Sequence, residues 1–167
     1  MPVPDQGHTF DRYTLIPRTL IFLTRKDRIL LIKGAPHKRL WADQYNGIGG
    51  HVESGEDLLT AARRELLEET GLSPVDLWLC GTITIDTGEN PGIGIFVYRG
   101  EGPDKELKES PEGALEWVSL DHVFDLPLVE DLHTLLPKVL EVERETAPFS
   151  ALYTYLENDQ LLISFGK

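Results

Sequence analysis

The sequence predicts an α/β protein, an α/β/α sandwich on a mixed β-sheet. Runs rich in β-forming residues recur along the chain, stretches with helical spacing interrupt them, and glycine- or proline-bearing turns separate them. The chain has 167 residues, enough for a sizeable core, and no repeat, linker or low-complexity tract divides it. One domain over residues 1–167 is expected.

Taken in order, residues 1–10 contain prolines and a glycine and are expected to be flexible. Residues 12–23 read as a strand, with Pro17 indicating an edge or a bulge. Arg25-Lys26-Asp27-Arg28 reads as a hairpin tip before a strand over residues 29–33. A loop over residues 34–44 carries Lys38 and Arg39, and residues 45–48 form a short strand. Residues 75–86 and 93–98 read as partner strands around the turn at residues 87–92. A charged loop over residues 101–113 leads to a last sheet strand at residues 115–118, then a helical turn near Asp121. Residues 130–143 have helical spacing in Leu132, Leu135, Leu136, Val139 and Leu140, with Pro137 predicting a kink or a late start. Residues 149–156 and 160–165 flank Glu157-Asn158-Asp159 as a terminal hairpin.

The remaining helix lies within residues 49–72, where a glycine-rich turn runs into an amphipathic segment. Ser54 is the expected N-cap, answered by Asp57 in a capping-box pattern. Glu56 and Asp57 fall in the expected first turn, where the helix dipole favours negative charge, and Gly71 suits a left-handed C-terminal cap. Leu58, Leu59, Ala62 and Leu66 form an apolar stripe, and Glu65, Glu68 and Glu69 lie beside it. Glu65 and Glu69 repel each other by a few tenths of a kcal/mol at this i,i+4 spacing. A solvated acidic face is the plainest reading of such a run. Carboxylates bordering a buried stripe, next to glycines that let backbone approach an ion, instead suit an oxygen-rich site for a hard divalent cation.

Residues 50–72 resemble the Nudix box. Gly50, Glu56, Arg64, Glu65, Leu66, Glu68, Glu69, Gly71 and Leu72 fill its fixed positions without a gap. The resemblance implies a sandwich with the box helix on one face and the later helix on the other. It also implies Mg²⁺-dependent hydrolysis of a nucleoside diphosphate linked to another group, with Mn²⁺ as a possible substitute. Glu65, Glu68, Glu69 and the Gly49 carbonyl are the implied metal ligands. Arg64 is expected to pair with a box carboxylate and fix its rotamer, and Glu56 to orient Arg64. A further carboxylate, as ligand or base, falls at Glu112; a plain loop acid is the alternative there.

Outside the box, residues 41–50 resemble the purine nucleoside triphosphatases that remove oxidised nucleotides. This nominates Asn46 as a base contact and Glu130-Asp131 as an acidic pair that shares a proton across a base edge. A helix cap is the alternative role for that pair. Leu128 and Val129 stand where those enzymes carry an aromatic platform, and the loop over residues 34–44 is longer. Lys33 and Gly50 are candidate phosphate contacts, with a plain strand-end lysine as the alternative at Lys33. The favoured substrate is an oxidised purine nucleoside triphosphate such as 8-oxo-dGTP, cleaved to the monophosphate and pyrophosphate. Alternatives are another nucleoside diphosphate derivative such as ADP-ribose, or a Nudix-like binding domain without turnover, whose usual sign is loss of box glutamates.

A net charge of −12 argues against binding duplex nucleic acid through a general basic surface. Cys80 is the only cysteine, so no intrachain disulfide can form. Its apolar neighbours Leu77, Trp78 and Leu79 point to the core, which disfavours the thiol chemistry of the isopentenyl diphosphate isomerases that carry a similar box. No basic region followed by an apolar run opens the chain, and no window suits a bilayer span, so a cytoplasmic protein without membrane contact is expected.

Overall fold

The computed structural model describes residue 7, residues 12–37 and residues 39–166. The expected flexibility of residues 1–10, Gly7 apart, and the loop position of Lys38 lie outside these residues. The elements are β1 (Leu15–Arg25), β2 (Arg28–Gly34), β3 (Tyr45–Asn46), α1 (Leu58–Thr70), β4 (Leu77–Asp86), β5 (Gly92–Glu101), β6 (Gly113–Ser119), α2 (Leu132–Glu141), β7 (Phe149–Tyr155) and β8 (Leu161–Phe165). A short 3₁₀ turn, Val123–Asp125, precedes α2.

All eight strands join one sheet in the order β3-β2-β1-β5-β4-β7-β8, with β6 paired to β2. β1 runs parallel to β5 and β4 parallel to β7, while the other pairs are antiparallel, so the sheet is mixed. The expectation that residues 115–118 form the last sheet strand is corrected here. The terminal hairpin extends the same sheet through β7. A parallel partner for β4 needs a long crossover, and the stretch holding α2 supplies it.

Alternation along the strands builds two cores. Phe22, Leu31, Tyr45, Ile83 and Val97 face Leu132, Leu135, Leu136 and Val139 of α2. Ile21, Leu23, Leu30 and Ile32 face Ala62 and Leu66 of α1. Pro137 stays inside α2, so the helix does not start late. Leu132, Leu135, Leu136 and Val139 are fully buried. At roughly 1.5–3 kcal/mol per side chain, their burial outweighs the roughly 3 kcal/mol an interior proline costs.

Pro17 lies in the middle of the sheet order yet acts as an edge residue. Its carbonyl accepts from Val52 N, and Thr19 N donates to Gly50 O. Odd-numbered backbone groups of β1 thus face the box loop, and the missing N–H falls where that ladder ends.

The start of α1 differs from expectation. Asp57, not Ser54, is the N-cap: its carboxylate accepts from Leu59 N and Thr60 N, each at 3.0 Å. Gly55 bends the chain at φ +91°, so the helix begins three residues beyond the Ser54 frame. Glu56 and Asp57 therefore precede the first turn instead of occupying it. The Thr60 hydroxyl, then the backbone N–H groups, hold the Asp57 carboxyl below its ordinary range. Gly71 closes the helix at φ +75°, donating to Leu67 O. Gly71→Ala should cost about 1 kcal/mol, because only glycine adopts this conformation without strain. Urea denaturation of both proteins measures it.

Candidate active site

The site is built around Arg64. Its Nε and Nη2 donate to the two carboxylate oxygens of Glu56 at 3.1 and 2.7 Å. Nη2 also reaches the His51 carbonyl at 2.9 Å. Nη1 donates to Glu65 at 2.8 Å and to Glu68 at 3.3 Å. Glu56 in turn accepts from Glu53 N at 2.7 Å, closing the loop ahead of the helix. The hydrogen bond from Arg64, then that from Glu53 N, pull the Glu56 carboxyl below its usual range. Arg64 thus ties the glycine-rich loop to α1, and Glu56 orients Arg64 as the sequence suggests.

Beside this hub is a cleft of about 510 Å³, lined by Gly49, Gly50, Glu65, Glu68, Glu69 and Glu112, with His51, Glu53 and Ser110 among its other walls. Glu65 lies against Gly50 so closely that a Cβ on Gly50 would overlap its carboxylate. The ladder to β1 uses the carbonyls of Ile48 and Gly50, so alternation turns the Gly49 carbonyl away from β1. The carboxylates and backbone carbonyls of the cleft supply mostly oxygen ligands, which suits a hard divalent cation. Among the described residues, no three His, Cys, Asp or Glu side chains converge tightly enough to hold an ion as they stand. Arg64 accounts for part of this, since it draws Glu65 and Glu68 toward itself.

The base-contact candidates divide. Asn46 lines an adjoining recess with Trp41, Gln44, Gly49, Glu69 and Glu112, and its Oδ1 accepts from Gly47 N at 2.8 Å. Its cross-strand partner Ile32 packs on the α1 side, whereas Tyr45 packs on the α2 side. Asp131 belongs to the α2 side, where it accepts from the Tyr153 hydroxyl at 3.2 Å. Asp131 makes no side-chain capping bond. Burial raises its pKa against the opposing effect of the Tyr153 hydrogen bond. Glu130 is exposed. The segments that carry the two sets are joined through backbone, where Tyr45 N donates to Pro127 O and Val129 N donates to Tyr45 O. Lys33 stands 3.9 Å from Asp43 and 5.9 Å from the Tyr45 ring, apart from the box cleft.

The NUDIX domain family matches residues 14–139, most of the chain. The chain belongs to the NUDIX family of pyrophosphohydrolases. A Danio rerio relative, "Oxidized purine nucleoside triphosphate hydrolase", is 35% identical over 63% of this chain and 67% of its own length. A Mus musculus relative of the same name is 28% identical over 86% of this chain and 89% of its own length. The "NAD-capped RNA hydrolase NudC" of Haemophilus influenzae is 29% identical over 81% of this chain, which spans 51% of that relative. A MutT protein from Bacillus halodurans has the same fold at a TM-score of 0.75, with 26% identity, covering 90% of this chain and 97% of that one.

Elsewhere in this NUDIX chain, Cys80 is fully buried, and burial pushes its thiol up to about 12, so it stays protonated and inert. No helix of the described residues is long and apolar enough to cross a membrane. Sequence reasoning missed Tyr153 as the partner of Asp131, and Glu116, which accepts from the Tyr45 hydroxyl at 2.9 Å. Alternation puts Ala151, Tyr153 and Tyr155 on one face of β7, but β4 as its neighbour is not written locally.

Gly50→Ala tests the cleft without removing a charge. The overlapping atoms belong to a flexible side-chain end, so thermal unfolding should shift little while Glu65 is displaced. Cation-dependent turnover should fall at least about tenfold. Asp131→Asn tests the buried carboxyl. The folded-state pKa is raised, so the contribution of protonated Asp131 is full below the ordinary carboxylate range and is lost as pH rises through the raised value. Asparagine does not ionise, so the melting temperature of Asp131→Asn relative to wild type should increase from about pH 3.5 to about pH 7.

Proposed function

We propose that this protein hydrolyses a nucleoside triphosphate to the monophosphate and pyrophosphate with Mg²⁺, and that oxidised purine nucleotides such as 8-oxo-dGTP are its favoured substrates. The cleft in which Glu65, Glu68, Glu69, Glu112 and the Gly49-Gly50 backbone meet carries the hydrolase reading. The Danio rerio and Mus musculus relatives, named as oxidised purine nucleoside triphosphate hydrolases, support the substrate.

Glu65, Glu68, Glu69 and the Gly49 carbonyl would hold the cation, with Glu112 as a further ligand or as the base. Bound there, Mg²⁺ would neutralise phosphate oxygens and acidify a water. The chain's own residues do the positioning. Arg64 fixes the rotamers of Glu65 and Glu68, and Gly50 leaves room for Glu65 against the loop. Glu130 and Asp131 would meet the base edge. Desolvation raises the Asp131 pKa, which favours the protonated form that could donate to an oxopurine edge. Asn46 would contribute from the adjoining recess.

A substrate panel with Mg²⁺, reading phosphate against pyrophosphate, tests the proposal. Pyrophosphate release and a preference for oxidised over unmodified guanine triphosphate are expected. Glu69→Gln should lower turnover about a hundredfold or more with the fold intact. Asp131→Ala should lower kcat/KM for the oxidised substrate by roughly 2–4 kcal/mol of transition-state binding, and much less for a poor substrate. A ratio near one in wild type, or one unchanged by Asp131→Ala, ends the substrate assignment. The NudC relative favours a second reading, cleavage of another nucleoside diphosphate derivative, which the same panel detects as a different product.

A further inference from the structure

Arg18 is an unusual side chain in this protein. The described arginines that are not exposed are Arg18, Arg25, Arg64 and Arg99. Arg25 donates to Pro103 O and Asp104, Arg64 to the box, and Arg99 to Leu140 O and Val142 O. Arg18 alone has no side-chain hydrogen bond or ion pair to a described residue; its Nε, like that of Arg99, is buried without a partner, but Arg99 donates through Nη1 to backbone carbonyls. In a chain with 28 acidic side chains against 16 basic ones, the orphaned Nε is not explained by a shortage of carboxylates. A buried N–H without an acceptor is costly, and no described residue supplies one to Arg18 Nε.

Position says what kind of acceptor suits it. Alternation in β1 places Arg18 on the α2 side with Leu20 and Phe22, opposite Ile95 of β5. This is the face onto which Asp131 and Tyr153 project. The backbone of Arg18 bridges to His51, and Thr19 N donates to Gly50 O, so Arg18 sits at the rim of the box loop. From β1 to β7, where Tyr153 stands, the sheet crosses β5 and β4, about 14 Å at standard strand spacing. A nucleoside monophosphate can bridge that span once the two side chains have reached in. Its base then lies toward Asp131 and its phosphate toward the box.

We infer that Arg18 is a substrate-binding residue whose guanidinium grips a phosphate oxygen on the nucleoside side of the bond that is cleaved. The inference rests on the nucleotide-hydrolase reading above and adds to it a phosphate contact outside the box. A planar fork suits phosphate oxygens better than a lysine point charge, so Arg18→Lys should recover only part of the function.

Calorimetry with AMP, GMP and their 8-oxo forms, each against its free nucleoside, separates this contact from the hydrolase reading. The proteins are wild type, Arg18→Met and Arg18→Lys, each checked by thermal unfolding. Wild type should bind at least one monophosphate more tightly than its nucleoside. Arg18→Met should weaken that monophosphate at least about tenfold and leave the nucleoside within about twofold, with Arg18→Lys between. In turnover, the loss should fall on KM and be similar for every base. Equal losses for nucleotide and nucleoside, a loss that depends on the base, no loss, or no monophosphate binding by wild type each overturn the inference. Failure of the hydrolase reading shows separately, as wild type that releases no pyrophosphate from any triphosphate.

Discussion

All five N–H groups of the Arg64 guanidinium are placed against oxygens of the box: two on Glu56, and one each on Glu65, Glu68 and the His51 carbonyl. The rest of the site depends on this arrangement. Glu65, Glu68 and Glu69 crowd one side of α1 in a chain of net charge −12, and each like-charge neighbour at helical spacing costs a few tenths of a kcal/mol. A partly buried arginine bridging loop and helix offsets that repulsion and also fixes where two of the carboxylates point. A bidentate pair to Glu56 sets the angle at which the chain enters α1. The acidic cluster, the loop path and the helix start are consequences of one side chain's geometry.

The sheet then divides the labour between its faces. On the α1 side, the box carboxylates and Glu112 line a polar cleft. On the α2 side, Asp131 and Tyr153 form a partly desolvated polar pair above an apolar surface, and Arg18 stands at the rim nearest the box. Residues 47–50 run between the two, paired to β1 through Ile48 and Gly50. A ligand with a charged end and a flat, hydrogen-bonding end matches this layout. Its phosphates need metal and backbone, whereas its base needs an environment where an unpaired polar group is costly.

Much of this was legible in the sequence because the box is local. Helical spacing puts Glu65, Glu68 and Glu69 on one side without any knowledge of the sheet, whereas the pairing of Arg64 with Glu56, which precedes the helix, is implied only by the resemblance to the box. The hairpin tip at Lys26-Asp27 and the cap at Gly71 were legible for the same reason. What failed was set by backbone torsion or by distant pairing. Ser54 has the right chemistry for a cap, but the bend at Gly55 hands the role to Asp57. The terminal hairpin reads as separate because nothing local states that β7 lies parallel to β4, and the Asp131–Tyr153 contact follows from that pairing. Asn46 and Asp131 read as opposite walls of one base pocket, and only strand alternation shows that Asn46 lies on the α1 side and Asp131 on the α2 side.

The direct test of Arg64 as the organiser is Arg64→Lys, which keeps the positive charge and removes the fork. The measurement is Mg²⁺-dependent kcat/KM, taken beside circular dichroism and thermal unfolding of the same samples. If the fork positions the box carboxylates, kcat/KM falls at least about a hundredfold while the helix signal persists. Lysine at this position with kcat/KM within a few-fold of wild type would contradict the account, because charge alone would then be enough.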